Sequence, residues 1–448
     1  MDARDAAGAS GAIRGPLGSH GARDVYSVPM PLALTDPIGV VLISDSFPPL
    51  VGGAGRDTDL LARALVARGH RVCVATSDQP GAAPQETTRH GYEVHRLPGL
   101  ITRMHWLSAS VERRIPPPFP DPETTLRLRR LIRRFEPDIV HSYGWMTFSC
   151  RLALIGLDVP LVVSARDYSL ICPVRTLLRQ NEICSGPAFG KCLACSSSEY
   201  GIAKGAMATT GILSIKRSLA RRCSAVHSVS RYADERMVRD FLRPAESGAA
   251  HQVIPCFADD DREEQVDEES LSRLPAGPFI LYVGALRLCK GIDILVEAHG
   301  RLPDVPPLVL LGSRAPDTPS FFPPGVHVLP ATNHATVMAS WERALFAVAP
   351  SRLPEPFGNV VHEAMSCGKA VIGTRPGGHE DMIDSGRTGL LVPAGDVSAL
   401  TAAIDYLLKN PGERDRLGEA ARKESSRFSS ELVTPAFEDL YRAALSRS

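Results

Sequence analysis

A βα rhythm, set out twice, constrains this chain more than any other feature. "IGVVLISDSFPP" (38–49) is a continuous β-branched run ending in Pro-Pro and reads as a buried parallel strand. In "GGAGRDTDLLARALVARGH" the residues Leu60, Leu61, Ala64, Leu65 and Ala67 form one apolar face, and Gly69 ends a helix. "RVCVATS" supplies the next strand, which completes a βαβ unit. The pattern recurs in "LRLRRLIRRFEP" with "DIVHSYG", then in "PLVVSAR", "SAVHSVS" and "HQVIPC". It stops at "DDDREEQVDEESLSRLP" (259–275), an acidic stretch almost free of apolar residues. It restarts with "PFILYVGAL", "KGIDILVEAHGRL", "PLVLLGS", "HVLPA", "ALFAVAPS", "AVIGT" and "TGLLVPAG". The economical architecture is α/β, two doubly wound Rossmann-like domains facing each other across a cleft, with ligand beyond the carboxyl ends of the strands. The divisions expected are a disordered tail at 1–36, a first domain at 37–258, an acidic linker at 259–276 and a second domain at 277–428. An amphipathic helix in 429–448 is expected to pack back on the first domain.

The 448 residues are too many for one ordinary domain. No apolar run reaches the roughly 18 residues of a membrane span. The small, polar start has no apolar h-region, so it is not read as a secretory signal, and Met30 is an alternative start. Ten cysteines without such a signal point to a reducing cytosol, at the inner face of the membrane or away from it. Rich use of Ala, Arg, Gly and Pro suggests a bacterial gene of high GC content. Net charge is zero, but 31 Lys+Arg against 23 Asp+Glu up to residue 258 make the first half +8 and the rest −8. That excess is either a solvated surface or an attraction to an anionic acceptor or membrane face; nucleic acid is not an expected partner.

"RLPEPFGNVVHEAMSCGKAV" (352–371) sets Glu355 and Glu363 eight positions apart. Pro356 biases Glu355 away from helix, Gly358 and Asn359 suit a helix start, and Gly368 suits a stop. On one continuous helix the two acids would be ~12 Å apart in rise and ~80° apart in direction. Paired hydrolase carboxylates need about 5–9.5 Å across one bond, so these two do not flank one bond. A helix N-terminus between two carboxylates instead describes a seat for a nucleotide-diphosphate sugar, with the acids on sugar and ribose hydroxyls and the amides on phosphate. The bland alternative is a capped helix with a solvated glutamate.

The block "PEPFGNVVHEAMSCGKAVIGTRPGGHEDMIDSGRTGLLVPAGD" closely resembles the signature of the retaining glycosyltransferases of family 4, whose fold is GT-B. "SFPPLVGGAG…LARALVARGH", "PDIVHSYG", "SVSRYADERM" and "VGALRLCKGIDILVEA" also have counterparts there, so the likeness covers roughly 38–445. It implies that Glu363 binds ribose, that Glu355 sits by the donor sugar, and that amides near Phe357, Gly358, Asn359 and Val360 cradle sugar and diphosphate. Gly52 and Gly53 match the family's glycine loop, and Lys290 matches one of its two diphosphate-neutralising cations. Ala285 replaces the other, and Arg287 is the candidate substitute. Arg166 stands where many relatives have His before an aspartate, here Asp167; a guanidinium cannot act as a base at neutral pH, so its role would be electrostatic or acceptor-binding. Glu355, Lys290, Arg166 and Asp167 are thus the candidate catalytic group. The donor would be a UDP-, GDP- or dTDP-sugar and the acceptor a cell-envelope glycan or lipid, or a secondary metabolite. An inactive nucleotide-sugar-binding partner subunit and an epimerase of the same fold are the alternatives. No catalytic cofactor is expected, and "DDD" (259–261) reads as solvated linker rather than a metal motif. His90, His95 and His105 carry no motif.

Cys172, Cys184, Cys192 and Cys195 are spaced C-x11-C-x7-C-x2-C. Four thiolates ending in C-x2-C suggest a structural zinc, or less readily an iron–sulfur cluster, against the alternative of free buried cysteines. "YGIAKGAMATTGILSIKRSLARRC" (200–223) reads either as an interfacial segment making peripheral membrane contact or as a helix packed in its own domain.

Overall fold

Every run read as a strand is one, and the strands form two separate sheets. The computed structural model describes residues 36–49, 53–79, 81–100, 103–104, 118–242, 248–258 and 265–447. The tail at 1–35, Met30, Gly52, His105 and the acidic triplet 259–261 lie outside the described residues.

The first sheet comprises β1 (Gly39–Ser44), β2 (Arg71–Ser77), β3 (Gln85–Thr87), β4 (Glu93–Leu97), β5 (Ile139–Tyr143) and β6 (Leu161–Ala165). A two-stranded hairpin follows, β7 (Leu178–Arg179) and β8 (Glu182–Ile183), before β9 (Ala225–Ser228) and β10 (Ala250–Val253) complete the sheet. Its order is β10-β9-β6-β5-β1-β2-β4-β3, parallel except for the edge strand β3. The sequence reading did not single out β3 or β4. The second sheet holds β11 (Ile280–Val283), β12 (Leu308–Leu311), β13 (Val326–Leu329), β14 (Phe346–Val348), β15 (Val371–Arg375) and β16 (Leu390–Pro393). All its pairings are parallel, in the order β13-β12-β11-β14-β15-β16. Each sheet is covered on both faces, which is why β1 is buried at every residue. On the helix Gly53–Ala67 the apolar face is buried as the periodicity requires, except that Ala67 is exposed and Ala62 is buried. The strand order reverses between β1 and β5 in one sheet and between β11 and β14 in the other, and these two points are where open α/β sheets hold ligands.

The helix Ser430–Leu445 leaves the second domain and completes the first. Val433, Phe437, Leu440, Tyr441 and Ala444 recur at helical spacing and are buried in the same core as Val40, Leu61 and Val162. Glu438 in this stripe accepts from Arg68 Nε at 2.5 Å and Nη2 at 2.8 Å, with His70 Nε2 at 3.1 Å. Beneath the sheet a hydrogen-bond chain ties this helix to β5, β6 and β9. His227 Nε2 lies 2.7 Å from the Ile254 carbonyl, which can only accept, so His227 Nδ1 must accept from Ser164 Oγ at 2.7 Å. Ser164 then accepts from His141 Nε2 (2.6 Å), and His141 Nδ1 from the Tyr441 hydroxyl (2.8 Å). The direction of every proton is thereby set, with both imidazoles neutral.

Burial pushes His227 down to about 3 and His141 well below its ordinary value, helped by neighbouring positive charge. The unfolded chain, with histidines near 6.5, therefore binds more protons than the native state in acid. The stability this chain contributes should be intact above pH ~6.5 and lost as pH falls toward about 3, as read by urea unfolding across that range. Tyr441→Phe should cost ~1–3 kcal/mol, because it strips a buried acceptor of its donor. Unchanged unfolding midpoints would contradict both expectations.

Candidate functional site

The two points of strand reversal face each other across an open cleft of about 830 Å³. The second domain lines it with Tyr282, Ala285, Lys290, Ser351, Glu355 and His379 and with the turn Phe357–Val360; the first adds Gly53, Asp57, Arg166 and Cys256.

Local sequence explains the donor-side wall. Pro356 keeps Glu355 in the loop after β14, and the helix Asn359–Ser366 begins at Gly358 without a side-chain cap. Gly358 has φ +104°, and a Cβ there would come within 2.7 Å of His379 Nε2, so the turn needs glycine for two reasons. Thr374 N–H donates to His379 Nδ1 at 3.1 Å, which leaves the proton on Nε2 beside that turn. The first-turn amides of the 359–366 helix and its dipole then face the cleft as a seat for anionic oxygen.

Lys290 Nζ donates to both Glu355 oxygens, at 2.7 and 3.0 Å, and Ser351 Oγ donates to Oε1. Burial alone would push the Glu355 carboxyl up; Lys290 foremost, with His379 and Ser351, outweighs it and holds it below the usual carboxylate range. Glu363 lies farther along the helix, lining the adjoining hollow with His334 Nδ1 3.7 Å away. Burial pushes it up to about 7 against the pull of Arg56. The two glutamates thus differ in charge habit at neutral pH, one firmly ionised and one near its midpoint.

Across the cleft, Asp57 accepts from Asn359 Nδ2 at 2.9 Å, joining the first domain to the first residue of the anion-seat helix. Burial pushes the Asp57 carboxyl up despite Arg166, Cys256 and Asn359. Arg166 donates to Thr58 Oγ1 at 3.0 Å and lies over the Tyr143 ring at 5.7 Å. Asp167 points away from the cleft into a cluster with Tyr143 and Arg175. Arg287 ion-pairs at 3.3 Å with Asp317 and, across the domains, with Glu199, and it does not line the cleft. The chain leaves β11 at Val283 and turns through Gly284, so alternation along the strand does not carry on to Arg287. Sequence reading missed Asp57, Cys256, Ser351, Tyr282 and His379. Only His379 had a signal, its place beside the Gly377–Gly378 pair.

The zinc expectation finds no support. All ten cysteines are free thiols, and among the described residues no three His, Cys, Asp or Glu are arranged to hold a metal ion. Cys192 and Cys195 do stand one turn apart on the helix Phe189–Tyr200. However, Cys184 and Cys195 donate to the Gly186 and Leu178 carbonyls at 3.6 and 3.7 Å, as neutral thiols do. The 200–223 stretch forms the helix Ile202–Arg222, whose Ala208, Ile212 and Leu219 are buried in its own domain. No helix among the described residues is long and apolar enough to cross a membrane.

Two family models match the chain, "Glycosyl transferase 4-like domain" over residues 52–256 and "Glycosyl transferases group 1" over 264–424. A D-inositol 3-phosphate glycosyltransferase of Xylanimonas cellulosilytica is 33% identical over 185 residues, 38% of this chain and 43% of that protein. Glycogen synthase of Mycobacterium tuberculosis is 26% identical over 444 residues, 90% of this chain and 94% of that one. Among solved structures, sucrose-phosphate synthase from Thermosynechococcus elongatus superimposes with TM-score 0.69 at 20% identity, covering 92% of this chain and 100% of that chain. Anabaena Alr3699/HepE, in complex with UDP-glucose, does so with TM-score 0.62 at 16% identity, also covering 92% and 100%.

Gly358→Ala should lower stability by ~1–3 kcal/mol through its left-handed backbone and its collision with His379. Chemical denaturation measures this; a midpoint equal to that of the native sequence would mean that the turn is not held as described.

Proposed function

The chain belongs to the group 1 glycosyltransferases and has their GT-B fold, and from that premise we propose that it moves a sugar, with retention, from a nucleotide-diphosphate sugar to an acceptor hydroxyl. The observation that carries this reading is the Lys290–Glu355 pair at the foot of an uncapped helix N-terminus, inside an interdomain cleft. In this reading the diphosphate lies on the amides of Gly358 to Val360, with Lys290 on one wall and Arg166 on the other. Arg166 makes up for the cation missing at Ala285, a place that Arg287 does not fill. Glu355 holds a hydroxyl of the sugar, and Glu363 the ribose hydroxyls.

The bond from the sugar's anomeric carbon to the diphosphate oxygen breaks as the acceptor oxygen bonds to that carbon on the same face. The electron pair leaves with the diphosphate, whose departing oxygen takes the acceptor's proton. The fixed donors around the leaving group stabilise the charge it develops. No side chain is needed as base, in keeping with the guanidinium at 166. The donor in this reading is a UDP-, GDP- or dTDP-sugar; the Anabaena neighbour, solved with UDP-glucose, is in keeping with a nucleotide sugar. The acceptor in this reading is a cell-envelope glycan or lipid, or a secondary metabolite.

A thermal-shift panel of UDP-, GDP- and dTDP-sugars should pick out the donor, since a ligand of the native state stabilises by RT ln(1 + [L]/Kd). Release of nucleoside diphosphate from the same sugar separates an enzyme from an inert binding subunit, which would bind and release none. Glu355→Ala should depress kcat far more than donor affinity. Glu363→Ala should weaken donor binding about 30 to 150-fold, the worth of ~2–3 kcal/mol from a charge-assisted hydrogen bond. Because Glu363 titrates at about 7, donor Kd should be about tenfold weaker at pH 6 than at pH 8, and Glu363→Gln should flatten that slope. A donor Kd indifferent to these substitutions would remove Glu363 from the ribose.

A further inference from the structure

His379 lines the donor side of the cleft and is 1% exposed, yet none of the contacts proposed above uses it. The chain reaches it through Gly377 and Gly378, just past β15, and the Gly378 amide donates to the Glu355 carbonyl at 2.7 Å. That bond docks the turn against the loop that carries Glu355. The imidazole then fits between two glycines. A Cβ on Gly373 would come within 3.2 Å of Nδ1, and one on Gly358 within 2.7 Å of Nε2. Side chains are thus missing on β15 and on the anion-seat turn, where the ring needs room.

The ring is bonded on one side only. Nδ1 accepts from the Thr374 amide at 3.1 Å, and among the described residues this is the one hydrogen bond the imidazole makes. Nε2 therefore carries a proton that has no acceptor, and it does so in the cleft wall beside Gly358. A buried donor of this kind gains most from an acceptor that arrives with a ligand. The charged groups acting on the ring are Glu355 and Lys290, which are bonded to each other. Burial foremost, with Lys290, holds the imidazole below its ordinary value against the pull of Glu355, so it is neutral at pH ~7. A neutral N–H can donate to an anion and keep its proton, whereas an imidazolium would be an acid beside the leaving group. We propose that His379 is a further catalytic residue, whose Nε2–H donates a hydrogen bond to an oxygen of the donor's sugar-linked phosphate. This deepens the glycosyltransferase reading and rests on it. As the bond from the anomeric carbon to the phosphate oxygen breaks, the electron pair stays on the phosphate. The Nε2–H bond stabilises that charge, and the proton remains on nitrogen.

The test uses the full-length protein with inorganic pyrophosphate, with UDP, GDP and dTDP, and with UDP-glucose, GDP-mannose and dTDP-glucose. The Nε2–H resonance of His379, assigned by its loss in His379→Gln, should shift on adding pyrophosphate or the nucleoside diphosphate that binds. The matching nucleoside, which has no phosphate, should leave it in place. With water as acceptor, His379→Phe should slow release of nucleoside diphosphate from the nucleotide sugar about 100-fold, the usual worth of one such donor. It should weaken nucleoside diphosphate binding only about three- to tenfold, and nucleoside binding by less than about twofold. His379→Gln keeps an N–H near the place of Nε2 and should regain about tenfold of the lost rate. If His379→Phe does not fold, the resonance decides. A resonance unmoved by a nucleoside diphosphate that binds, or a folded His379→Phe as fast as the native sequence, overturns the proposal. A native protein that releases no diphosphate from any of the three sugars overturns the donor reading instead, and pyrophosphate then judges His379 alone.

Discussion

The first domain is closed by one contact set, that of the buried Glu438 and His70 with the partly exposed Arg68. It joins the last helix to the first βαβ unit across 370 residues of chain. That helix emerges from the second domain, and the contact pins it to the first. The chain crosses between the domains at two adjacent places, where Ala258 and Ser429 pair. Direct bonds also join the domains, from Tyr168 to the Pro354 carbonyl (2.7 Å) and from Arg231 to Asp381 (2.5 and 2.7 Å).

Within the cleft the charges are paired rather than piled up. Lys290 is matched by Glu355, Arg166 faces Asp57, and the Asn359 amide is occupied by Asp57 across the gap. In the proposed reading a diphosphate would exchange one set of partners for another instead of filling a bare cationic hole. Burial makes each exchange matter, since an unpaired charge in this surrounding is costly. In the proposed reading, glycine at 358 would let backbone amides, and not a side chain, meet the anion.

Much of this was legible in the residues. The βα rhythm carried the two-sheet architecture, because strands buried on both faces must be continuously apolar and helices on those faces must be amphipathic. The turn and helix from Glu355 to Gly368 were legible as well, since Pro356, Gly358 and Gly368 act locally on the backbone. What escaped was non-local. Asp57 sits on a helix whose apolar face says nothing of the domain opposite, and Arg175 lies in an insert with no periodic pattern. Arg287 illustrates the limit of strand alternation: once the chain turned at Gly284, the count of residues no longer gave a direction. The cysteines show the same from another side, for a C-x2-C spacing places two sulfurs together but does not bring the other two into line.

The final helix also bears on how the chain comes into being. Phe437, Leu440, Tyr441 and Ala444 fill the core of the first domain, not of the second to which they are adjacent in sequence. During synthesis the first sheet is therefore made early, but the face that Leu60, Leu61 and Leu65 share with the final helix is not fully covered until that helix has been made. The second domain has its core within 265–428 apart from a few first-domain side chains, and it can pack sooner. The first domain's core is thus completed after the second domain's residues have been made, although its strands are translated first.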